Sequence, residues 1–134
     1  MEVTVAVVAQ DLKVHEDGTF DILRVLSGWR VSAVPYVEPS MTLFLSFSAS
    51  SAEAGRKRRV EIHLIDADGD LVRKSLTTVT VPLAPVGSRA DINVAIPLKN
   101  VPFLKEGDYS FHIFIGDDEK RVVPFYITVE EGES

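Results

Sequence analysis

Three aspartates at alternate positions are the residues of this sequence whose spacing best fits a ligand site. Asp66, Asp68 and Asp70 flank an Asp-Gly step, and converging carboxylates are able to bind a hard cation such as Ca²⁺. An EF-hand loop counted from Asp66 requires glycine and glutamate where the chain has Leu71 and Thr77. The Asp-Gly step also predicts a β-hairpin with a type I′ turn. We expect the hairpin and keep a calcium or small-ligand site as the alternative.

A run of four basic residues at 56–59 is the sharpest local charge. Such a run is able to bind phosphate groups, but it contains no aromatic residue on which a nucleic-acid base could stack. If every strand reverses direction, the run lies at the end of the domain that carries Asp117, Asp118 and Glu119, and the Asp66 turn lies at the opposite end. We therefore expect its charge to be partly neutralised and predict no nucleic-acid partner.

The residue types of catalysis are scattered. His15, His63 and His112 have no second histidine or acidic residue at a metal-ligand spacing, which argues against zinc. Ser110 lies near His112, but no Gly-x-Ser-x-Gly elbow accompanies any serine. The chain also has no glycine-rich phosphate loop. We predict a protein that is not an enzyme and has no cofactor.

Misplaced apolar residues are the remaining signal. Phe44, Phe114 and Tyr126 fall on the polar phase of their predicted strands, and Trp29 follows a glycine break. A neighbouring loop often covers such aromatics. If they are exposed instead, they form a patch of the kind that marks a protein interface. The leading hypothesis is therefore a protein-interaction or structural module that binds an unknown protein partner or a copy of itself.

The elements that position these residues are predicted to be strands. Apolar residues alternate with polar ones, most clearly from Ile92 to Leu98, and no window of ten residues keeps a helical period. Short strands separated by turn residues, without helical crossovers, favour an all-β, antiparallel two-sheet sandwich with no substantial helix. We expect a single domain, 1–134. The nine predicted strands are 2–9, 20–26, 30–35, 41–49, 58–66, 70–81, 91–98, 107–115 and 121–130.

Two resemblances refine this expectation. Tyr109 precedes the core position Phe111 by two residues on a late strand, and this pattern resembles the tyrosine corner of immunoglobulin-like folds. A longer likeness covers VTVAVVAQDLKVHEDGTFDILRV, SSAEAGRKRRVEIHLIDADGD and GDYSFHIFIGDDEKRVVPFYI. These segments look like a family of small uncharacterised bacterial domains. That resemblance implies no activity and assigns no residue a role.

The composition limits the partners and the compartment. Twenty acidic residues against fourteen basic ones give a net charge of -6, which disfavours nucleic acid and anionic membranes as partners. The absence of cysteine fits a reducing compartment. The beginning of the chain lacks the pattern of a signal peptide. We expect a cytoplasmic location and no membrane association.

Overall fold

The computed structural model describes residues 1–130, which contain nine β-strands and one short 3-10 turn at Ser51–Glu53. The predicted all-β class is confirmed, and the last four residues of the predicted domain 1–134 lie outside the described part. No helix within residues 1–130 is long and apolar enough to cross a membrane. The strands are β1 (Glu2–Val14), β2 (Phe20–Leu26), β3 (Gly28–Val31), β4 (Tyr36–Ser50), β5 (Lys57–Ile65), β6 (Leu71–Thr80), β7 (Arg89–Phe103), β8 (Gly107–Ile115) and β9 (Asp118–Val129).

The strands form two sheets. The four-stranded sheet has the order β2-β1-β4-β7, and the five-stranded sheet has the order β3-β9-β8-β5-β6. All pairs are antiparallel except β3 with β9, so the prediction of a purely antiparallel sandwich is wrong at this edge. The chain crosses from one sheet to the other at Gly28, where a Cβ atom would lie 2.1 Å from the carbonyl oxygen of Tyr126. Glycine therefore permits the close approach of β3 to β9.

One apolar core lies between the sheets. Alternating residues of β4 and β7 face those of β5, β8 and β9, as the period of two requires. The hydroxyl of Tyr109 donates a hydrogen bond to the carbonyl oxygen of Lys105 at 2.7 Å. The largest fully buried side chains are Phe47, Phe103, Phe111, Phe125, Met41, Leu43, Leu45, Ile62, Leu64, Ile113, Ile115 and Ile127.

The hairpin of β1 and β2 bends over the outer face of the four-stranded sheet. Phe20 of β2 pairs with Val14 of β1. Val14 lies about 20 Å along β1 from Val8, which pairs with β4. The Phe20 ring nevertheless lies 5.3 Å from the ring of Phe44. Phe44 points outward as the alternation predicts, but this cover leaves it only 7% exposed. It is therefore a packing residue and not an accessible anchor.

A bulge in β1 changes the predicted orientation of the first strand. The pairing of β1 with β4 shifts register between Val3 and Val5. A bulge of one residue reverses the faces of the residues that follow it. Val8, which simple alternation places outside, is consequently buried opposite Leu43.

Replacement of Phe44 by alanine tests the role of the hairpin cover. We expect Phe44→Ala to lower the free energy of unfolding by about 3 kcal/mol, because the aromatic contact and its buried area are lost. Tyr126→Ala, at an exposed position, serves as the control and should change it by less than about 0.5 kcal/mol. Urea denaturation followed by circular dichroism measures both. A cost for Phe44→Ala as small as that of the control would contradict the proposed packing.

Candidate functional site

The outer face of the five-stranded sheet collects most of the polar and apolar groups that the core leaves outside. Adjacent strands bring residues from distant parts of the sequence into one layer, because side chains of directly paired residues point to the same side. We call this surface the outer sheet face. Its members are Glu61, His63, Lys74, Leu76, Ser110, His112, Phe114, Glu119, Val122, Pro124 and Tyr126.

A hydrogen-bonded relay crosses β8 and β9 on this face. Ser110 Oγ lies 2.8 Å from Nε2 of His112, and Nδ1 of the same ring contacts the carboxylate of Glu119. Ser110 and His112 lie two residues apart on β8 and so point to the same side. Glu119 belongs to β9 and pairs with Phe114 of β8, next to a register shift in this hairpin. The order of groups is that of a serine, histidine and acid triad.

The second histidine belongs to a neighbouring cluster. His63 pairs with His112 across β5 and β8, and its Nε2 lies 3.1 Å from the carboxylate of Glu61. Its ring packs on Phe114 with the ring centres 4.7 Å apart. Glu61 also has Arg59 at 3.8 Å and Lys74 at 3.9 Å. The charges of this cluster are therefore paired with one another.

Backbone geometry limits the chemistry of the relay. An acyl-transfer site also needs free backbone or side-chain donors directed at the developing oxyanion. β8 is hydrogen-bonded to β5 on one side and to β9 on the other, so its N–H groups near Ser110 are used by the sheet. The relay orients the imidazole and satisfies three polar side chains on the outer sheet face.

The structure separates the four aromatic residues that the sequence singles out. Phe114 and Tyr126 lie on the outer sheet face, where Tyr126 is 46% exposed and Phe114 is partly buried under His63. Trp29 packs on the edge of the core, and its buried Nε1 has no hydrogen-bond partner among the described residues. Phe44 lies on the other sheet. Two of the four residues thus share one surface.

Sequence reasoning missed several members of this surface. Leu76 and Val122 are exposed apolar residues of this face, and their position on the polar phase of their strands was a detectable signal. The acidic partner of His112 was missed because the last strand was predicted to begin at residue 121, whereas β9 begins at Asp118 and includes Glu119.

The aspartates of the predicted calcium site do come together. One carboxylate oxygen from each of Asp66, Asp68 and Asp70 lies within 4.8 Å of the others. The loop is a hairpin, but Gly69 is its only residue with a positive φ angle. A type I′ turn needs two such residues in succession, so the predicted turn type is wrong. Asp66 Oδ1 accepts backbone N–H groups of Asp68 and Asp70 at 3.0 and 2.9 Å, which favours this longer loop.

A lysine already lies at this acidic turn. The ammonium group of Lys105 contacts the carboxylate of Asp68, and this hydrogen bond and charge raise the pKa of Lys105, with Asp66 and Asp70 adding to the effect. Beside the turn is a cleft of about 280 Å³ that Leu71, Leu104 and Tyr109 help to line. The turn is thus a partly neutralised acidic group next to a small, mainly apolar cleft.

A buried carboxylate forms a third polar group, on β4. Glu38 is buried and accepts a hydrogen bond from the hydroxyl of Tyr36 at 2.5 Å and one from the backbone N–H of Ser40 at 3.3 Å. Burial, together with the hydrogen bond and charge of Glu38, raises the pKa of Tyr36 to about 12. These bonds satisfy the carboxylate where β4 enters the sheet, which gives it a structural role.

Comparison with known proteins gives a family match and a distant structural likeness. A family model described as a family of unknown function, DUF6941, matches residues 4–128. No match was found among curated proteins. Among solved structures, the alkylpurine DNA glycosylase AlkC of Pseudomonas fluorescens, bound to DNA containing an abasic site analog, has a TM-score of 0.48 and 11% identity. That likeness covers 92% of this chain and 30% of the glycosylase, and it is too distant to indicate a shared function.

Calcium titration tests the acidic turn. We expect millimolar Ca²⁺ to leave the melting temperature within about 1 °C, because Lys105 competes for Asp68 and Asp66 is engaged by the backbone. Differential scanning calorimetry with and without a chelator measures the shift. A rise of more than about 3 °C that disappears in Asp68→Asn would instead establish a calcium site.

Labelling with a fluorophosphonate probe tests the relay. Such probes react with activated serine hydroxyl groups. We expect no labelling of the folded protein, because the relay lacks free donors for an oxyanion. Intact mass spectrometry reads the result, with Ser110→Ala as the control variant. Labelling that is lost in this variant would show that Ser110 is an activated nucleophile.

Proposed function

The chain belongs to DUF6941, a family of unknown function, and we propose that it is a non-enzymatic module that binds another protein through the outer sheet face. The main evidence is that three large apolar residues of this face are exposed, Leu76 at 58%, Val122 at 45% and Tyr126 at 46%. Apolar side chains exposed on one surface are typical of protein interaction sites. Aromatic side chains are effective anchors at such sites, because they bury a large area with few rotatable bonds.

The polar groups of the face support protein binding as well. Glu61 is paired with Arg59 and Lys74 and hydrogen-bonded to His63, and Glu119 is hydrogen-bonded to His112. Charges that are already paired need no new partner when a protein covers them, whereas an unpaired buried charge carries a large penalty. Side chains of four adjacent strands form this face, and such an extended surface fits another protein better than a small ligand, which requires a concave site.

The charge at the rim favours a particular kind of partner. Asp108 is exposed opposite Tyr126, and Asp118 is exposed at the start of β9. The whole chain also has a net charge of -6. Complementary charge guides association, and like charge opposes it. We therefore assign the face to a different protein with an apolar surface and a basic rim, ahead of a second copy of this chain.

A small-ligand or calcium-binding module is the second candidate. It is favoured by the cleft beside Asp66 and Asp70, which is partly enclosed by Leu71 and Leu104. The calcium titration addresses its metal form. The expected cytoplasmic location remains a prediction, supported by the absence of cysteine.

Affinity capture from host lysate with matched variants tests the protein-binding proposal. We expect a specific partner to bind the parent chain and to lose at least about tenfold in affinity with Val122→Ser/Tyr126→Ser, because both apolar anchors are removed. The control, Val14→Ser/Val25→Ser, changes two valines of the β1–β2 hairpin that are each 62% exposed. It should bind like the parent. Quantitative mass spectrometry and titration with the identified partner give both results.

Two outcomes would contradict this assignment. Identical captured proteins for the parent and for Val122→Ser/Tyr126→Ser would remove the outer sheet face as the binding surface. Sedimentation velocity of the purified chain distinguishes the other case. A parent dimer that becomes a monomer only in Val122→Ser/Tyr126→Ser would give the face to a second copy of the chain.

A further inference from the structure

The loop between β6 and β7 carries two unusually exposed apolar residues. Leu83 is 86% exposed and Val86 is 99% exposed. Single exposed apolar residues are common on protein surfaces, but here two lie three positions apart at the tip of one loop. Side chains so exposed have almost no packed neighbours, so they project from the end of the sandwich.

Some of the polar backbone groups of this loop are absent or paired. Pro82 and Pro85 have no N–H group that would need a partner. The carbonyl oxygen of Pro85 accepts hydrogen bonds from the backbone N–H of Ser88 at 3.0 Å and from its hydroxyl at 2.7 Å. The N–H of Gly87 donates to Ser51 Oγ at 3.4 Å. Removing polar groups from water is unfavourable when they are unpaired, and these bonds reduce that penalty.

Basic residues flank the base of the loop. The N–H of Val81 donates to the carbonyl oxygen of Arg56 at 2.9 Å, and Lys57 pairs with Thr80. The sequence predicts that the basic run 56–59 is partly neutralised by the acidic turn, and one contact of this kind forms, between Arg59 and Asp117 at 3.3 Å. Within residues 1–130, the other three basic side chains of the run make no ion pair.

We propose that this end of the sandwich docks on the surface of an anionic lipid bilayer. We call it the apolar–basic tip. Its members are Arg56, Lys57, Leu83, Val86 and Arg89. Projecting apolar side chains enter the interfacial region, and the basic residues meet the anionic headgroups. A protein partner would need a hollow shaped for each projecting side chain, whereas a bilayer accepts them without a matching shape.

The distribution of charge explains why the net charge is a poor guide here. The acidic turn at 66–70 lies at the far end of β5, which has nine residues from Lys57 to Ile65 and is about 30 Å long. The screening length in physiological salt is about 8 Å. The far acidic residues therefore act weakly at the apolar–basic tip.

Carboxylates near the tip are mostly matched locally. Glu53 is paired with the amino group of Met1 at 3.0 Å, and this contact lowers the pKa of its carboxyl group. Glu2 is paired with Lys120 at 3.7 Å. Asp91 and Asp118 make no ion pair within the described part of the chain. Three exposed basic residues of the tip thus outnumber two unmatched carboxylates.

Vesicle binding by the full chain tests this proposal. The vesicles are phosphatidylcholine alone or with about one third phosphatidylglycerol, measured by flotation. We expect binding to the anionic vesicles only, weakening as salt rises. Leu83→Ser/Val86→Ser and Arg56→Gln/Lys57→Gln should each lower partitioning at least about tenfold. The matched controls Val14→Ser/Val25→Ser and Lys13→Gln/Arg30→Gln should bind like the parent.

A site-specific label tests insertion of the loop itself. The chain has no cysteine, so Val86→Cys introduces a unique thiol for an environment-sensitive fluorophore. We expect a blue shift on anionic vesicles for this label and no shift for the same label on Val25→Cys. All substituted residues are exposed, and thermal melting verifies that each variant is folded.

Three results would overturn the proposal. They are the absence of parent binding to anionic vesicles, an equal loss of binding in the charge control, and an unshifted label at Val86→Cys. A polyglutamate peptide serves as the competing probe. Binding of that peptide without vesicle binding, lost in Arg56→Gln/Lys57→Gln, would assign the tip to an acidic protein segment instead.

Discussion

Contacts between aromatic rings hold the two sheets together and fix which side of each strand faces the core. Phe103 of the four-stranded sheet lies against Tyr109 and Phe125 of the five-stranded sheet, with ring centres 5.0 and 5.9 Å apart. These rings are buried and hold the inner faces together. Side chains alternate along a strand, so an inward Phe125 places Tyr126 outside. The chemistry of the outer sheet face is therefore a consequence of how the core packs.

Within residues 1–130, the two outer faces differ because only one of them is covered by another part of the chain. The β1–β2 hairpin brings Phe20 onto Phe44 and removes that aromatic residue from water. On the five-stranded sheet, Leu76 and Val122 stay exposed. An outward apolar residue therefore stabilises the fold on the four-stranded sheet, where the hairpin covers it. On the five-stranded sheet such residues remain accessible. This asymmetry supports a role in binding for the five-stranded sheet.

Electrostatic organisation follows from the lengths and directions of the strands. Hairpin reversal places the basic run and the acidic turn at opposite ends of β5, as the sequence predicts. It also brings Asp117 to Arg59. At physiological salt, charges at the two ends act almost independently. A net charge of -6 therefore describes the chain as a whole, but each surface has its own electrostatic character.

The sequence by itself determined that the chain forms nine strands and that residues such as Phe111 point inward, because both depend on alternation and short-range turn signals. Tertiary structure alone decided the bulge that turns Val8 inward, the cover over Phe44 and the meeting of His112 with Glu119. Each of these depends on register or bending between paired strands. A register shift of one residue reverses the face of every residue that follows. Such a shift cannot be predicted from the local alternation of apolar and polar residues.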